Sequence, residues 1–419
     1  MSAEGQTRRD FLRNAGLASV SFAGMLGLAA RGEGKVGPND TVNIGIIGTG
    51  SRGCHLLEIM NTIPGIKVAA VCDIYQPHLE RGLKLAGGKV PAYKDYHKLL
   101  DQKDLDAVVI ATPLNWHARM SIDAINAGKD VFCEKTMTYS PDEAEQVVRR
   151  VLDSDRVFQV GHQRRYSPVY HRVMQLIHEG VIGDVVFIKA QWHRNGDWRR
   201  HVPDPSLEKL LNWRLYRESS GGLMTELASH QIDVANWALG DMHAESVVGI
   251  GGIDYWKDGR EVYDNVSVVY KYPNGVKLVY TSITRNKYYG ASEQIMGSEG
   301  TIEVTTRRAK LFRERPVQRS EFKSFVMNLE RELLQSVAIG AASFLPENPN
   351  KDTGTWIEVD MPHSEEYLEL ASFAECVRTR KKPFGDVLVG YRSGVAALIG
   401  NEAMDRGEIV LWPKHEGIA

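Results

Sequence analysis

The segment Val42–Gly53 constrains this chain more than any other. Val42–Gly48 (VNIGIIG) is a short, β-branched apolar run, the pattern of a parallel strand buried on both faces. It leads directly into Gly48-Thr49-Gly50-Ser51-Arg52-Gly53, and an apolar periodicity suited to a helix continues to Met60. A second buried run, Ile66–Cys72, ends at Asp73. An isolated G-x-G-x-x-G is a weak signal. Between a strand and a helix, with an acid closing the next strand, it marks a turn that wraps a dinucleotide. Gly48 allows the tight turn, Gly50 opens the backbone to a pyrophosphate, and Gly53 lets the helix approach the strand. Unpaired N–H groups at the helix start, among Thr49, Ser51 and Arg52, suit the phosphates. Asp73 is expected to accept hydrogen bonds from the adenosine ribose and to repel a 2′-phosphate. NAD is therefore favoured over NADP, with Arg52 the nearby cation able to receive that phosphate.

The alternation of strand and helix continues. Strand patterns cover 106–111, 129–133 and 157–161, and helical patterns 117–127 and 141–152. Such a rhythm predicts a doubly wound parallel sheet (a Rossmann domain) over 41–161, with its ligand at the carboxyl ends of the strands. After Gly161 the rhythm changes. A helix over 168–179 precedes strand-like runs at 184–192, 245–250, 265–272, 277–284, 293–296 and 301–304, and Pro273-Asn274-Gly275 reads as a hairpin. The stretch 307–362 reads as an irregular polar insert, followed by helices over 365–380 and 390–406. The expected class is α/β: a Rossmann domain, then an α+β substrate domain over 162–419 with a large, mostly antiparallel open sheet.

The first 35 residues read differently. Thr7-Arg8-Arg9-Asp10-Phe11-Leu12-Arg13 precedes an uncharged stretch from Ala15 to Ala30, diluted by Gly and Ser. That stretch is shorter than the ~20 residues of a membrane span, so no permanent span is expected. Paired arginines before a short, weakly apolar run are the pattern of a twin-arginine export signal. The route carries folded proteins outside the cytoplasmic membrane, so a periplasmic location and the export machinery as a partner are expected. With 51 basic and 53 acidic side chains, the net charge of −2 leaves no basic excess for nucleic acid. Four cysteines without a C-x-x-C pair suggest neither a disulfide framework nor a zinc site.

In the second half, Gly221-Gly222 opens a helical stretch in which Glu226, His230 and Asp233 fall at i, i+4 and i+7, on one expected face. An acid and an imidazole one turn apart can share a proton; a surface ion pair or a structural histidine fits the spacing as well. No H-E-x-x-H is present, and no metal is expected.

Together these motifs resemble the glucose–fructose oxidoreductase/inositol dehydrogenase family, also called Gfo/Idh/MocA. The matching residues are the glycine loop with Asp73, Thr112-Pro113 with His117, Ala127-Gly128-Lys129, Glu134-Lys135, His162–Tyr166, the Glu226–His230–Asp233 run and Gly297–Ile302. The chain departs from the family twice: Thr136 stands where Glu-Lys-Pro usually has its proline, and Glu226 where an aspartate is usual. The resemblance implies cofactor contacts from Thr112, Pro113, His117, Glu134 and Lys135. It also implies catalytic roles. Lys135 would touch the substrate hydroxyl and share the base role, His230 would take the hydroxyl proton, and Glu226 would orient His230 or bind a neighbouring hydroxyl. Trp116, Arg164, Tyr166, His193 and Asp233 are the expected substrate contacts within a wider set of Trp, Arg and His suited to a carbohydrate cleft. Export implies a tightly bound NAD that never leaves. The expected activity is therefore an NAD-dependent oxidoreductase acting on a sugar. The alternatives are a redox-neutral NAD-dependent glycosidase, with His117, His193 or Tyr166 as an extra base, and a nucleotide-binding protein with a blunted site. By analogy with the family, a homodimer or homotetramer is expected.

Overall fold

The turn at Gly48 forms because two strands and a helix meet there at close range. In the computed structural model, which describes residues 40–314, 353–415 and 417–418, the first sheet comprises β1 (Val42–Ile47), β2 (Ile66–Cys72), β3 (Ala92–Tyr93), β4 (Ala107–Ile110), β5 (Asp130–Glu134) and β6 (Phe158–Gly161). Its order is β3-β2-β1-β4-β5-β6, all parallel. The chain reverses direction of winding between β1 and β4, so a crevice opens at their carboxyl ends. Gly48 sits at φ +92°, and a Cβ there would stand 2.6 Å from the Ala111 carbonyl oxygen. A Cβ on Gly53 would fall 1.8 Å from the Gly48 carbonyl oxygen, which brings the helix Ser51–Met60 hard against β1. Gly50 has nothing nearer than the His78 ring at 3.6 Å. The first and third glycines serve packing; the second leaves space.

The second sheet has nine strands: β7 (Val185–His193), β8 (Ser246–Gly252), β9 (Asn265–Lys271), β10 (Lys277–Ile283), β11 (Ala291–Gly297), β12 (Gly300–Thr305), β13 (Arg308–Arg313), β14 (Thr355–Ile357) and β15 (Val410–Leu411). Its order is β14-β13-β12-β11-β7-β10-β9-β8-β15, and only β7 and β10 run parallel. The Pro273-Asn274-Gly275 turn joins β9 to β10, with Gly275 at φ +86°. The ends of the segment read as an irregular insert are strands β13 and β14, paired with each other. In Arg308–Arg313 the adjacent Leu311-Phe312 and the charged Arg313 break the period of two, and a partner more than forty residues away leaves no local trace. The middle of that insert and the segment expected to be an export signal lie outside the described residues.

Helices Ser229–Ala238 and Val387–Arg406 pack on the inner face of the second sheet, where Val266, Val268, Tyr270, Leu278 and Tyr280 are buried. The helix Glu365–Thr379 returns to the first sheet, its Leu370, Phe373 and Ala374 joining Ile44, Leu56 and Phe132 in one apolar cluster. The two sheets thus share their covering helices. Cys54, Cys72, Cys133 and Cys376 are free and buried. Among the described residues, no helix is long and apolar enough to cross a membrane.

The clash at Gly53 makes a simple prediction. Gly53→Ala must push the helix Ser51–Met60 away from β1, costing about 1–3 kcal/mol. Thermal melting should show the loss, and a melting temperature equal to that of the parent chain would contradict the packing role.

Candidate active site

The crevice at the carboxyl ends of β1, β2 and β4 is a cavity of about 460 Å³ lined by Gly48, Gly50, Ser51, Asp73, Thr112 and Pro113. Asp73 is fixed at its rim: one carboxylate oxygen accepts from the Thr49 amide at 2.8 Å and the other from the Tyr75 amide at 2.8 Å. Thr49 itself is fully buried, its hydroxyl donating to the His78 carbonyl, so it shapes the loop from behind. Arg52 turns away from Asp73. It pairs with Glu134 at 2.6 Å and with Glu366 at 3.7 Å. The cation left open as a receiver for a 2′-phosphate is thereby engaged elsewhere. The uncovered Gly50, the positioned acid and the free helix start fit a dinucleotide.

A second cavity, of about 470 Å³, adjoins the first and shares Arg52, Ala111, Thr112, Trp213 and Arg214 with it. Lys135, Glu226 and His230 all line it. Lys135 follows β5 directly, and its Nζ donates to the Glu226 carbonyl oxygen at 2.6 Å. The next residue, Thr136, donates from its hydroxyl to the Thr225 carbonyl at 2.7 Å; the Lys135–Thr136 peptide is cis. Both acceptors belong to Met224–Ala228, a single π-helical turn at the head of the helix Ser229–Ala238. A π turn carries extra residues per turn and rotates the helix beyond it. Glu226, His230 and Asp233 therefore do not share one face. Glu226 and His230 reach the cavity, whereas Asp233 turns inward and is clasped by Arg165 through bonds of 2.9–3.0 Å.

Nor does Glu226 bond to His230. Its carboxylate takes Arg214 Nε at 2.8 Å and the Ser220 hydroxyl at 3.4 Å. The His230 ring is held instead by aromatic neighbours, with Trp192 at 5.6 Å and His162 edge-on at 5.9 Å between centroids. Its Nδ1 is buried without a hydrogen-bond partner.

The electrostatics follow from burial among cations. Desolvation, then the charges of Lys135 and Arg164, holds the His230 pKa well below 6.5, so the ring is a neutral proton acceptor. Desolvation also lowers Lys135 below 10.5; Glu226 and Glu134 oppose the shift, and Arg214 and Arg52 reinforce it. Burial alone would raise Glu226, but Arg214 and Lys135 outweigh it and keep the carboxylate ionised.

His117 serves as a clamp. Its Nδ1 lies 2.8 Å from the Thr136 carbonyl oxygen and its Nε2 3.0 Å from that of Thr112. Carbonyls only accept, so both nitrogens must donate and the ring is held as imidazolium. Burial opposes this, while the Cys133 sulfur and the two carbonyls raise the pKa to about 9. With both nitrogens engaged, His117 ties the loop after β4 to the loop after β5. Its ring has no free nitrogen for a cofactor or to act as an extra base.

The other expected contacts divide. Trp116 stands on the wall of the cofactor cavity; Glu134 reaches the second cavity, paired with Arg52. Arg164, Tyr166, His193 and Asp233 are not brought to either cavity. Arg164 is buried against Glu293, and the Tyr166 hydroxyl accepts from the Gly385 amide. Along β7 successive side chains alternate in direction. Trp192 enters the cavity, while His193 faces Tyr288 and Thr281. Gln163, within the His162–Tyr166 motif, lines the cavity, as do Arg200 and Asn212, which no local motif announces.

Comparison with known proteins agrees with this geometry. Residues 42–162 match the oxidoreductase family with an NAD-binding Rossmann fold (GFO/IDH/MocA), and residues 170–303 match the GFO/IDH/MocA C-terminal domain. The chain is 30% identical over 273 residues to inositol 2-dehydrogenase of Salmonella paratyphi B, covering 64% of this chain and 74% of that one. It is 27% identical over 270 residues to inositol 2-dehydrogenase/D-chiro-inositol 3-dehydrogenase of Lactiplantibacillus plantarum, covering 63% and 71%. Among solved structures, levoglucosan dehydrogenase in complex with NADH and L-sorbose superposes with a TM-score of 0.70 at 18% identity, over 90% of this chain and 100% of that one. The myo-inositol 2-dehydrogenase of Lactobacillus plantarum superposes with a TM-score of 0.66 at 19% identity, over 89% and 100%. These superpositions establish the same fold.

The His117 clamp has a pH signature. Its folded pKa, about 9, lies above the ordinary 6.5. The stability it contributes is complete below 6.5 and is lost as pH rises through about 9. His117→Asn should therefore lower the melting temperature more at pH 6 than at pH 10. An equal loss at both would show that the ring is not held charged.

Proposed function

Because the chain belongs to the GFO/IDH/MocA family of NAD-binding oxidoreductases, we propose that it removes hydrogen from a CH–OH carbon of a sugar or sugar derivative. The bound cofactor supplies the hydride acceptor; the chain's own residues supply the rest. One observation carries the reading: Lys135 and His230 line a single cavity that adjoins the glycine-loop crevice and shares its walls. Neutral His230 accepts the hydroxyl proton. Lys135, with a depressed pKa, holds the same oxygen and shares the proton. Glu226, kept ionised by Arg214, accepts a neighbouring hydroxyl. Trp192, Trp198 and Trp213 offer flat apolar walls for the C–H faces of a sugar ring.

Localisation belongs to the same proposal. The paired arginines at Arg8-Arg9 support export in the folded state, with the cofactor carried outward in place and regenerated there. Assembly as a homodimer or homotetramer is proposed through the outer face of the nine-stranded sheet, where Val186, Val248, Ile250 and Val269 are exposed.

Three measurements test the reading. Lys135→Met should lower turnover of the best sugar about 10²–10⁴-fold while leaving NAD bound; undiminished turnover would remove Lys135 from the chemistry. Free sugar released from a glycoside without net cofactor reduction would mean a redox-neutral glycosidase instead. Denaturing the purified mature protein should release stoichiometric nicotinamide dinucleotide into the supernatant. A protein that purifies empty and needs added NAD for each turnover overturns the captive-cofactor part.

A further inference from the structure

The charge balance of the second cavity is lopsided. Its walls carry Arg52, Lys135, Arg194, Arg200 and Arg214 against only two carboxylates, Glu134 and Glu226. Both carboxylates are already engaged, Glu134 by Arg52 and Glu226 by Arg214. Arg194 and Arg200 are different. Among the described residues neither guanidinium has a hydrogen-bond acceptor or a paired carboxylate. The Arg194 guanidinium lies 5.9 Å from the Trp198 ring centroid, and Arg200 is fastened to Asn212 only through its backbone.

Their neighbours show that carboxylates are available in this part of the fold. Arg199, adjacent in sequence, pairs with Glu208 and with Asp258 at 3.4 Å. Arg260 pairs with Asp258 at 2.7 Å. Arg52 and Arg214 on the cavity wall, and Arg199 and Arg260 nearby, are matched; Arg194 and Arg200, on the same wall, are not. Both side chains are exposed to solvent, yet partial desolvation and the Arg214 charge lower the pKa of both, the sign of cations near another cation.

A buried donor points the same way. Trp198 lines the cavity, and its indole N–H is buried without an acceptor. Its backbone sits at φ +64°, a region a bulky side chain rarely enters. The cavity that holds Lys135 and His230 is therefore rich in donors and positive charge. A neutral polyol, itself half donors, leaves much of that lining unmet. An anionic oxygen group accepts from all of it.

We propose that the natural substrate is an acidic sugar, whose anionic oxygen group, a carboxylate or a phosphate, is received by Arg194, Arg200 and the Trp198 indole while its reacting CH–OH faces Lys135 and His230. The assignment deepens the oxidoreductase reading and rests on it. Arg200 and Arg214 also border the cofactor cavity, whereas Arg194 and Trp198 border only the second. Arg194 is thus the discriminating residue.

The test is a titration of the NADH-loaded full chain, read by quenching of the cavity tryptophans. The probes are glucose, glucuronate and glucose 6-phosphate, and the same three forms of galactose and mannose. At least one acidic form should bind about 10- to 100-fold more tightly than its neutral counterpart, and the uronate and phosphate arms identify the group. Raising the salt concentration should erode the preference. Arg194→Gln and Arg200→Gln should each remove most of it, with NADH affinity unchanged for Arg194→Gln. Acidic sugars that bind no better than neutral ones across the panel overturn the proposal. If a neutral sugar is oxidised in that case, the oxidoreductase reading stands without it. An Arg194→Gln variant that loses NADH affinity and keeps the acidic preference also overturns it, because the guanidinium would then serve the cofactor phosphates.

Discussion

Two adjacent hydrogen bonds join the halves of this molecule at the point where chemistry is expected. Lys135 Nζ donates to the Glu226 carbonyl and Thr136 Oγ1 to the Thr225 carbonyl. The donors stand at the carboxyl end of a strand in the nucleotide sheet, and the acceptors in a π turn of the second half. Each bond is worth only about 0.5–1.5 kcal/mol net. Their importance is geometric. They set the register between the cofactor crevice and the helix that carries His230. A shift of this contact by one residue would present a different side chain to the cavity. The clamp at His117 ties down the same loop from below, through the Thr136 carbonyl.

That arrangement explains how much the sequence could disclose. The βαβ unit was legible because its determinants are local: an apolar run, three spaced glycines and an acid at the next strand end. The six-stranded sheet follows from repetition of that pattern. In the second half the strand runs were legible too, but not their order, since β7 pairs with β10 and β11 roughly a hundred residues away. Strands β13 and β14 escaped for the same reason.

The site was legible in part. Lys135, Glu226 and His230 carry motif positions and reach one cavity. The π turn has no such local signature, so the spacing of Glu226, His230 and Asp233 suggested a common face that the backbone does not build. The pairing of arginines is equally hidden. Arg164 reads as a cleft residue but is buried against Glu293, whereas Arg200 reaches the cavity. Whether a guanidinium is satisfied depends on carboxylates brought from distant strands, and nothing in a run such as Arg199-Arg200 distinguishes the paired member from the free one.

The same positive charge has two consequences that reinforce each other. Lys135 and Arg164 help to keep His230 neutral, which a proton acceptor requires. Yet a neutral imidazole among cations is a poor resting place for a proton, because accepting one adds a like charge to the cluster. An anionic group on the substrate would offset that penalty at the moment it matters. It arrives with the molecule to be oxidised and lowers the local potential as the proton reaches His230. Binding energy at a remote part of the substrate would then ease proton transfer at the reacting carbon. In that view the unmatched arginines and the depressed imidazole belong to one design. On that proposal, the site would hold a proton less readily until the substrate brings the missing charge.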